Sequence, residues 1–385
     1  MHSKLPDVGT TIFTVVSQLA QELGAINLAQ GFPDYDVDPV LIDLLAEHAR
    51  RGRNQYAPMT GVPDLRSEIA RKIARTQGVQ VDPDREITIT VGGTEALFSA
   101  IAACVGAGDE VIAFDPAYDS YEPAVRLVGG KCIRLPLTLP GFTLPLEALA
   151  AALSPRTRLV IVNNPHNPAC TVLGAAELQG LARVLAASDA MILADEVYEH
   201  LVLDGRRHES VLSHPALRER SFAVFSFGKT LHATGWRMGY CVAPPALTAE
   251  FRKVHQFNTF AVFTPVQHAI AAYLQGHPES YEGLGAFFTR KRDAFCRLLE
   301  GSAWRFTPAA GTYFQLLDYS ALSDEDDAAF ADRLIRKAGV AAIPLSPFYG
   351  SRPGSPPRLR LLRFCFAKRD ETLEQGAARL RAFGG

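Results

Sequence analysis

The chain has 385 residues, 48% of them hydrophobic and 21% charged, with a formal net charge of -2. That length exceeds a single ordinary core, so one large and one smaller domain are expected, and the near-zero charge argues against a nucleic-acid partner. The six cysteines (Cys104, Cys132, Cys170, Cys241, Cys296, Cys365) show neither C-x-x-C pairing nor metal-like spacing. With no apolar leader and no run of about 18 apolar residues, the reading is a cytoplasmic protein with free thiols, no metal and no membrane partner.

Taken in chain order, Asn27-Leu-Ala-Gln-Gly-Phe-Pro-Asp34 carries Gly and Pro turn signals and is expected to wrap back over a site further along. Ile87-Thr-Ile-Thr-Val91 then reads as a strand leading into a helix over Thr94–Ala103, and Glu110-Val-Ile-Ala-Phe114 as a strand leading into Tyr118–Glu122. Further strands are expected over Arg158–Val162, Ala190–Ala194, Phe222–Phe225 and Gly239–Ala243. Apolar runs of this kind suit strands buried on both faces, hence a mainly parallel, doubly wound α/β sheet covered by helices. Past Tyr281 the pattern changes to helices around Tyr281–Leu299 and Ala328–Ala338, a segment Gly311–Leu317, a loop over 347–357, a strand over Arg358–Phe366 and a closing helix. This reads as a smaller α+β unit, with expected boundaries of 1–45 (a segment joining the small domain), 46–280 (large domain) and 281–385 (small domain).

In such a sheet, ligands lie beyond the carboxyl ends of the strands. Asn163 and Asn167 follow one strand, Asp195 the next, and Ser226 and Lys229 a third. A lysine at a strand end in apolar surroundings has its ammonium disfavoured, which frees the amine as a nucleophile. Ser226, Arg237 and the Gly92-Gly93-Thr94 run ahead of a helix are suited to a phosphate. An amine beside a phosphate site points to a Schiff base with pyridoxal phosphate. That cofactor needs a carboxylate at its ring nitrogen, for which Asp195 is the candidate, and donors to its phenolate, for which Asn167 and Tyr198 are available. Tyr118 is the best-placed face for stacking. Arg363, inside the apolar run Leu361–Phe366, is costly to bury without an anion and suits a substrate α-carboxylate. Each has a bland alternative: a helix cap for Asp195, an Asn-Pro turn for Asn167, core packing for the tyrosines and a structural ion pair for Arg363. No role is assigned to His166, His232 or His255.

Together these residues resemble the fold-type-I pyridoxal-phosphate enzymes, specifically the class I/II aminotransferases. The likeness runs from Asn27–Asp34 to Arg363-Phe-Cys-Phe-Ala-Lys368 through Asn54-Gln-Tyr-Ala-Pro-Met-Thr-Gly61, Asn163-Asn-Pro-His-Asn-Pro168, Asp195-Glu-Val-Tyr-Glu-His200 and Ser226-Phe-Gly-Lys-Thr230. The Gly-Phe-Pro-Asp and Arg-Phe-Cys-Phe pieces look like the kynurenine/glutamine aminotransferase branch, and the whole chain like its bacterial methionine aminotransferases. The resemblance implies that Lys229 carries the cofactor and that Arg363 clamps the substrate carboxylate, helped by Asn167 and the Gly31 backbone. It further implies a homodimer in which Tyr56 reaches the partner's cofactor phosphate. Where the family usually has Asn-Pro-Thr-Gly, this chain has Asn167-Pro168-Ala169-Cys170, which loses a hydroxyl and a turn glycine.

The expected activity is transfer of an amino group from an apolar, thioether or aromatic amino acid to a 2-oxo acid by a ping-pong mechanism. Phe13, Phe32, Tyr118, Phe260 and Phe263 are the candidate pocket rings. The rival on the same fold is a cysteine-conjugate C–S β-lyase. A more distant one is a non-enzymatic regulator, disfavoured because the enzyme-like pattern begins within about thirty residues of Met1 and no basic patch accompanies it. A nicotinamide dehydrogenase is disfavoured by the lack of a G-x-G-x-x-G run.

Overall fold

The computed structural model describes residues 3–350 and 357–383. Its larger sheet has seven strands: β1 (Ile87–Thr90), β2 (Glu110–Asp115), β3 (Lys131–Pro136), β4 (Thr157–Asn163), β5 (Met191–Asp195), β6 (Ser221–Ser226) and β7 (Gly239–Val242). Their order is β1-β7-β6-β5-β4-β2-β3. Only β7 runs antiparallel to its neighbours. The expected strands are present with ends shifted by a residue or two, but β3 was not anticipated. Its residues alternate Lys131, Ile133, Leu135 against Cys132, Arg134, Pro136 at a partly exposed sheet edge, so it lacks the continuous apolar run of a central strand.

Side-chain alternation builds two cores from the same strands. Ile112, Val160, Val162, Ile192, Ala194 and Phe225 face one side. Val111, Ala113, Leu159, Ile161, Leu193, Phe222 and Val224 face the other. Each full burial of a Val, Leu or Phe contributes about 2 kcal/mol, comparable to the cost of ordering one residue's backbone, about 1–2 kcal/mol. Both faces are therefore needed to hold the strands, and helices cover both. Among them are α1 (Pro63–Gln77) and α2 (Gly92–Cys104).

The smaller α+β domain contains an antiparallel sheet of β8 (Phe314–Asp318), β9 (Ile343–Pro344) and β10 (Leu361–Cys365), in the order β9-β10-β8. Helices α3 (Leu284–Leu299), α4 (Asp327–Ala338) and α5 (Asp370–Phe383) pack around it. Ile26–Asn27 pairs with Val340–Ala341, and Cys365 N–H donates to Leu28 C=O at 2.7 Å, tying the N-terminal segment to this sheet. The expected loop over 347–357 opens with a 3₁₀ turn at Ser346–Phe348, and residues 351–356 of it lie outside the described residues. Among the described residues no helix is long and apolar enough to cross a membrane.

Candidate active site

The carboxyl ends of β4, β5 and β6 lie side by side, with Asn163 opposite Asp195 and Asp195 opposite Val224 in the ladder. Register thus delivers three polar termini to one crevice. Asn163 secures this edge, its amide donating to Asp195 C=O at 2.7 Å while its oxygen accepts from Asn167 N–H at 2.7 Å.

Asp195 is only 4% exposed. Its carboxylate accepts from Tyr121 O–H at 2.5 Å and Val197 N–H at 3.4 Å. No helix follows it, so helix capping does not account for it. Burial raises its pKa to about 6, against the pull of those two hydrogen bonds and the Lys229 charge. It is therefore mainly a carboxylate at neutral pH, inside a wall that makes a nearby cation favourable.

Lys229 sits on the single helical turn Phe227–Thr230 that directly follows β6. Its amine donates to Tyr313 Oη at 2.9 Å and to Gly31 C=O at 3.2 Å, and it lies 5.6 and 5.5 Å from the rings of Tyr198 and Tyr313. Burial lowers its pKa to about 8, with Arg237 and Arg363 adding to the shift and Cys365 and Asp195 opposing it. A substantial fraction of free amine is therefore present near neutrality, unlike an exposed lysine. Tyr198, buried between Tyr313 and the Lys229 amine, keeps its phenol protonated because burial raises its pKa.

The phosphate-like corner forms where α2 begins. Gly92 has φ +70°, and a Cβ there would come within 2.9 Å of Arg237 Nη2. The turn therefore brings bare backbone and a guanidinium together. Arg237 has φ +53°, bonds Thr234 C=O at 3.1 Å, and pairs with no carboxylate among the described residues. The first-turn N–H groups of α2 at Gly93 and Thr94 lack intrahelical acceptors, and the helix dipole adds positive potential there. Burial pushes the Tyr118 phenol up to about 12, against the opposing influence of the neighbouring Thr94 side chain. Ser226 is half-buried at the end of β6.

Arg363 lies on β10, 1% exposed, with its guanidinium carbon 3.9 Å from the Phe314 ring centre and 5.3 and 5.6 Å from those of Phe13 and Phe348. It donates to Asn167 Oδ1 and, at 3.4 Å, to Ala29 C=O; its Nε has no acceptor. No carboxylate lies within ion-pair distance of it among the described residues, its electrostatic influence on Asp119 acting from further away, so a direct internal ion pair does not explain it. A buried, unpaired guanidinium is costly and marks an anion slot.

The Asn27–Asp34 segment does wrap over this site. Asn27 Oδ1 accepts from Ala29 and Gln30 N–H, turning the chain, and Asp34 accepts from Arg369 N–H at 2.6 Å and Thr372 O–H at 2.7 Å ahead of and within α5. The Gly31 carbonyl faces Lys229 and Tyr313, so any part of Gly31 in holding a carboxylate falls to its N–H, because a carbonyl oxygen repels the anion. A Cβ on Gly31 would meet Phe314 Cζ at 2.8 Å. Cys170, in place of the usual glycine, adopts φ +62°; its carbonyl accepts from Ala310 and Gly311 N–H, holding a conformation that costs a non-glycine residue roughly 1–2 kcal/mol.

Tyr56 lies apart from this crevice. It is 82% exposed, with its ring 5.4 Å from that of Phe260, and Phe257, Phe260 and Phe263 are exposed as well. Tyr121 and Tyr313 are the site residues that sequence reasoning missed. Tyr121 falls three residues after Tyr118, at the start of the helix Tyr121–Leu127, a spacing that could have paired them. Tyr313 reaches Lys229 only through the docking of the smaller domain.

This set could hold pyridoxal phosphate. The glycine cradle with its guanidinium matches the phosphate, the buried carboxylate matches a protonated ring nitrogen, and the amine of lowered pKa matches the aldehyde. The chain matches the model for aminotransferase class I and II over residues 24–380. It is 52% identical over 380 residues to methionine aminotransferase of Escherichia coli, covering 99% of this chain and 97% of that protein. A solved Escherichia coli structure identified with a methionine aminotransferase function superposes with a TM-score of 0.96, at 52% identity and 99% coverage of both chains. N-succinyldiaminopimelate aminotransferase of Mycobacterium tuberculosis follows at a TM-score of 0.95, 37% identity and full coverage of both. Human kynurenine–oxoglutarate transaminase 1 is 32% identical, over 94% of this chain and 93% of that one. The chain belongs to the class I and II aminotransferases and is a pyridoxal-phosphate-dependent enzyme that moves amino groups between amino acids and 2-oxo acids.

Proposed function

We propose that this enzyme takes methionine and other apolar or aromatic amino acids as preferred donors. The observation carrying this reading is the surround of Arg363, whose guanidinium is flanked by the Phe13, Phe314 and Phe348 rings. The similarity to methionine aminotransferase supports it.

Bound pyridoxal phosphate supplies an aldehyde carbon and a conjugated ring that takes up the electron pair left when Cα loses its proton. The remaining work belongs to the chain. Arg237, Ser226, Thr94 and the Gly93 backbone would hold the phosphate, and Tyr118 would offer its face to the ring. Asp195 keeps the ring nitrogen protonated, with Tyr121 fixing the carboxylate's orientation. Asn167 and Tyr198 donate toward the phenolate; the Asn167 oxygen is committed to Arg363, so its –NH₂ is the group left to do so. Arg363 orients the substrate carboxylate, placing Cα beside Lys229. Lys229 would hold the cofactor through its amine, and the same amine, with its lowered pKa, would be the base that takes up and returns the substrate's Cα proton. A 2-oxo acid acceptor reverses these proton movements in the second half of the cycle.

Methionine and aromatic amino acids are expected to exceed aspartate and glutamate in kcat/KM by at least tenfold, about 1.4 kcal/mol of differential transition-state binding. Half-reaction rates with each amino acid measure this, and a screen led by aspartate would overturn it. Pyruvate and ammonia released from a cysteine conjugate without any acceptor acid would instead favour the β-lyase.

The reading includes a cytoplasmic homodimer with domain boundaries near residues 45 and 280. The exposed Tyr56–Phe260 ring pair, with Phe257 and Phe263 also exposed, supports the dimer, since large apolar side chains in contact at a surface are usually covered. It would bring Tyr56 to the partner's phosphate and Phe260 and Phe263 to the mouth of the partner's site. Sedimentation is expected to give twice the chain mass; a single-chain mass with full activity would remove this part of the reading.

A further inference from the structure

Beneath the turn that carries Asp195 and Tyr198 lies a buried polar cluster that takes no part in the chemistry described above. At its centre is Lys72 on α1, 1% exposed. Its ammonium donates to Glu199 Oε1 at 2.6 Å and to His200 Nε2 at 2.9 Å. It also lies 5.6 to 5.9 Å from the ring centres of Tyr240, Phe225 and Tyr281. Glu199 further accepts from Tyr240 O–H at 3.0 Å and from the Gln77 amide at 3.3 Å. Burial, helped by the Lys72 charge, holds His200 well below its ordinary pKa, so a neutral ring is there to accept from the ammonium. Glu196, on the same turn, accepts from Val211 N–H and pairs with His208, each at 2.9 Å.

Side chains of this turn divide by direction. Asp195 and Tyr198 face the amine of Lys229, while Glu196 and Glu199 are anchored on the other side. A dry ion pair is poor at adding net stability, since desolvation consumes most of the attraction. What it does add is geometry, because an ammonium enclosed by fixed acceptors and rings defines where each of them sits. The segments it joins all lead into the site. Glu199 and His200 belong to the Asp195–His200 turn. Phe225 immediately precedes Ser226 and lies four residues before Lys229. Tyr240 lies three residues after Arg237, and its ring stacks on Phe225 at 4.9 Å.

We propose that Lys72, through Glu199, is a positioning residue that sets Asp195 and Tyr198 in register with Lys229 and Arg237. The inference rests on the reading of those four as cofactor-holding residues. Neither Lys72 nor Glu199 touches the reacting atoms.

The test compares Lys72→Met and the double variant Lys72→Met/Glu199→Gln with wild type as holoenzymes. Its readouts are Tm, the dissociation constant for pyridoxal phosphate, the pH titration of the bound cofactor's visible absorbance, and kcat and KM separately. Lys72→Met strands a buried carboxylate, so Tm should fall by on the order of 5 °C. The double variant removes both charges and should recover most of that Tm. It should nevertheless bind the cofactor roughly tenfold more weakly, show a displaced absorbance titration and lose kcat rather than KM, because the anchoring geometry is gone. A double variant with wild-type cofactor affinity, titration and kcat would reduce the cluster to a structural role and overturn the proposal. If the double variant does not fold, Tyr240→Phe decides the matter. It removes one hydroxyl from Glu199 while keeping the ring, and the same shifts in smaller measure are expected, native values overturning the proposal. Borohydride labelling of wild-type Lys229 tests the underlying site reading by itself, so the two failures are distinguishable.

Discussion

Lys229→Ala is expected to lower kcat by at least ~10⁴-fold, the upper range for loss of a positioned acid–base group, here compounded by loss of the nucleophile. The variant should still fold and bind pyridoxal phosphate through the phosphate corner, because Lys229 contributes one side chain at the crevice rather than core packing. Borohydride reduction of the wild type followed by peptide mapping should find the label on Lys229, and a label on another lysine would overturn the assignment. The pKa of about 8 adds a second signature. Since only the deprotonated amine attacks, uptake of the aldehyde by cofactor-free enzyme should accelerate as pH rises toward about 8 and level off above it. An uptake rate that keeps climbing to pH 10 would indicate an ordinary solvated lysine.

Asp195→Asn is expected to cost roughly 10³-fold in kcat, on the order of 4 kcal/mol of transition-state stabilisation. The amide can accept from Tyr121 and occupy the same volume, so stability should change little. What it lacks is the negative charge that keeps the ring nitrogen protonated while the electron pair is held. The wild-type carboxyl, raised to about 6 by burial, is charged above that pH and loses its charge below it. Cofactor affinity of the wild-type apoenzyme should therefore weaken as pH falls through about 6. In Asp195→Asn that component of the pH dependence should disappear. Near-wild-type turnover in this variant would show that the charge at the ring nitrogen is not needed here.

The central strands were legible because Leu159-Val-Ile-Val162 and Ile192-Leu-Ala194 are apolar on both faces, the pattern of strands covered on both sides. Strand β3 was not, because an edge strand exposes half its side chains and Lys131 and Arg134 break the run. The antiparallel direction of β7 was also hidden, since Gly239-Tyr-Cys-Val242 reads alike in either direction and only the short return after Arg237 fixes it. Within the site, residues at strand ends could be placed by topology alone: Asp195, Asn167 and Lys229 needed no more than the rule that ligands gather beyond the carboxyl ends. Tyr313 required the three-dimensional docking of a separate segment, whereas Tyr121, three residues past Tyr118, was open to the same reading. The Lys72 cluster was invisible for a simpler reason, that a lysine on a polar-looking helix gives no sign of being buried until its acceptors, more than a hundred residues away, are brought to it.

The unpaired Arg363 has a bearing on what the enzyme refuses. Its guanidinium is already desolvated, with three aromatic rings about it and its Nε unbonded, before any substrate arrives. If Arg363 takes the substrate carboxylate as proposed, the resting protein is in effect half of a salt bridge, and an incoming amino acid would complete it as the missing counter-ion. A simple primary amine, such as the decarboxylated form of a good donor, offers the same nitrogen for exchange but leaves the cation stranded and its desolvation uncompensated. On this reading an amine without a carboxylate gains nothing from Arg363 and is expected to be a far poorer donor than the amino acid it derives from.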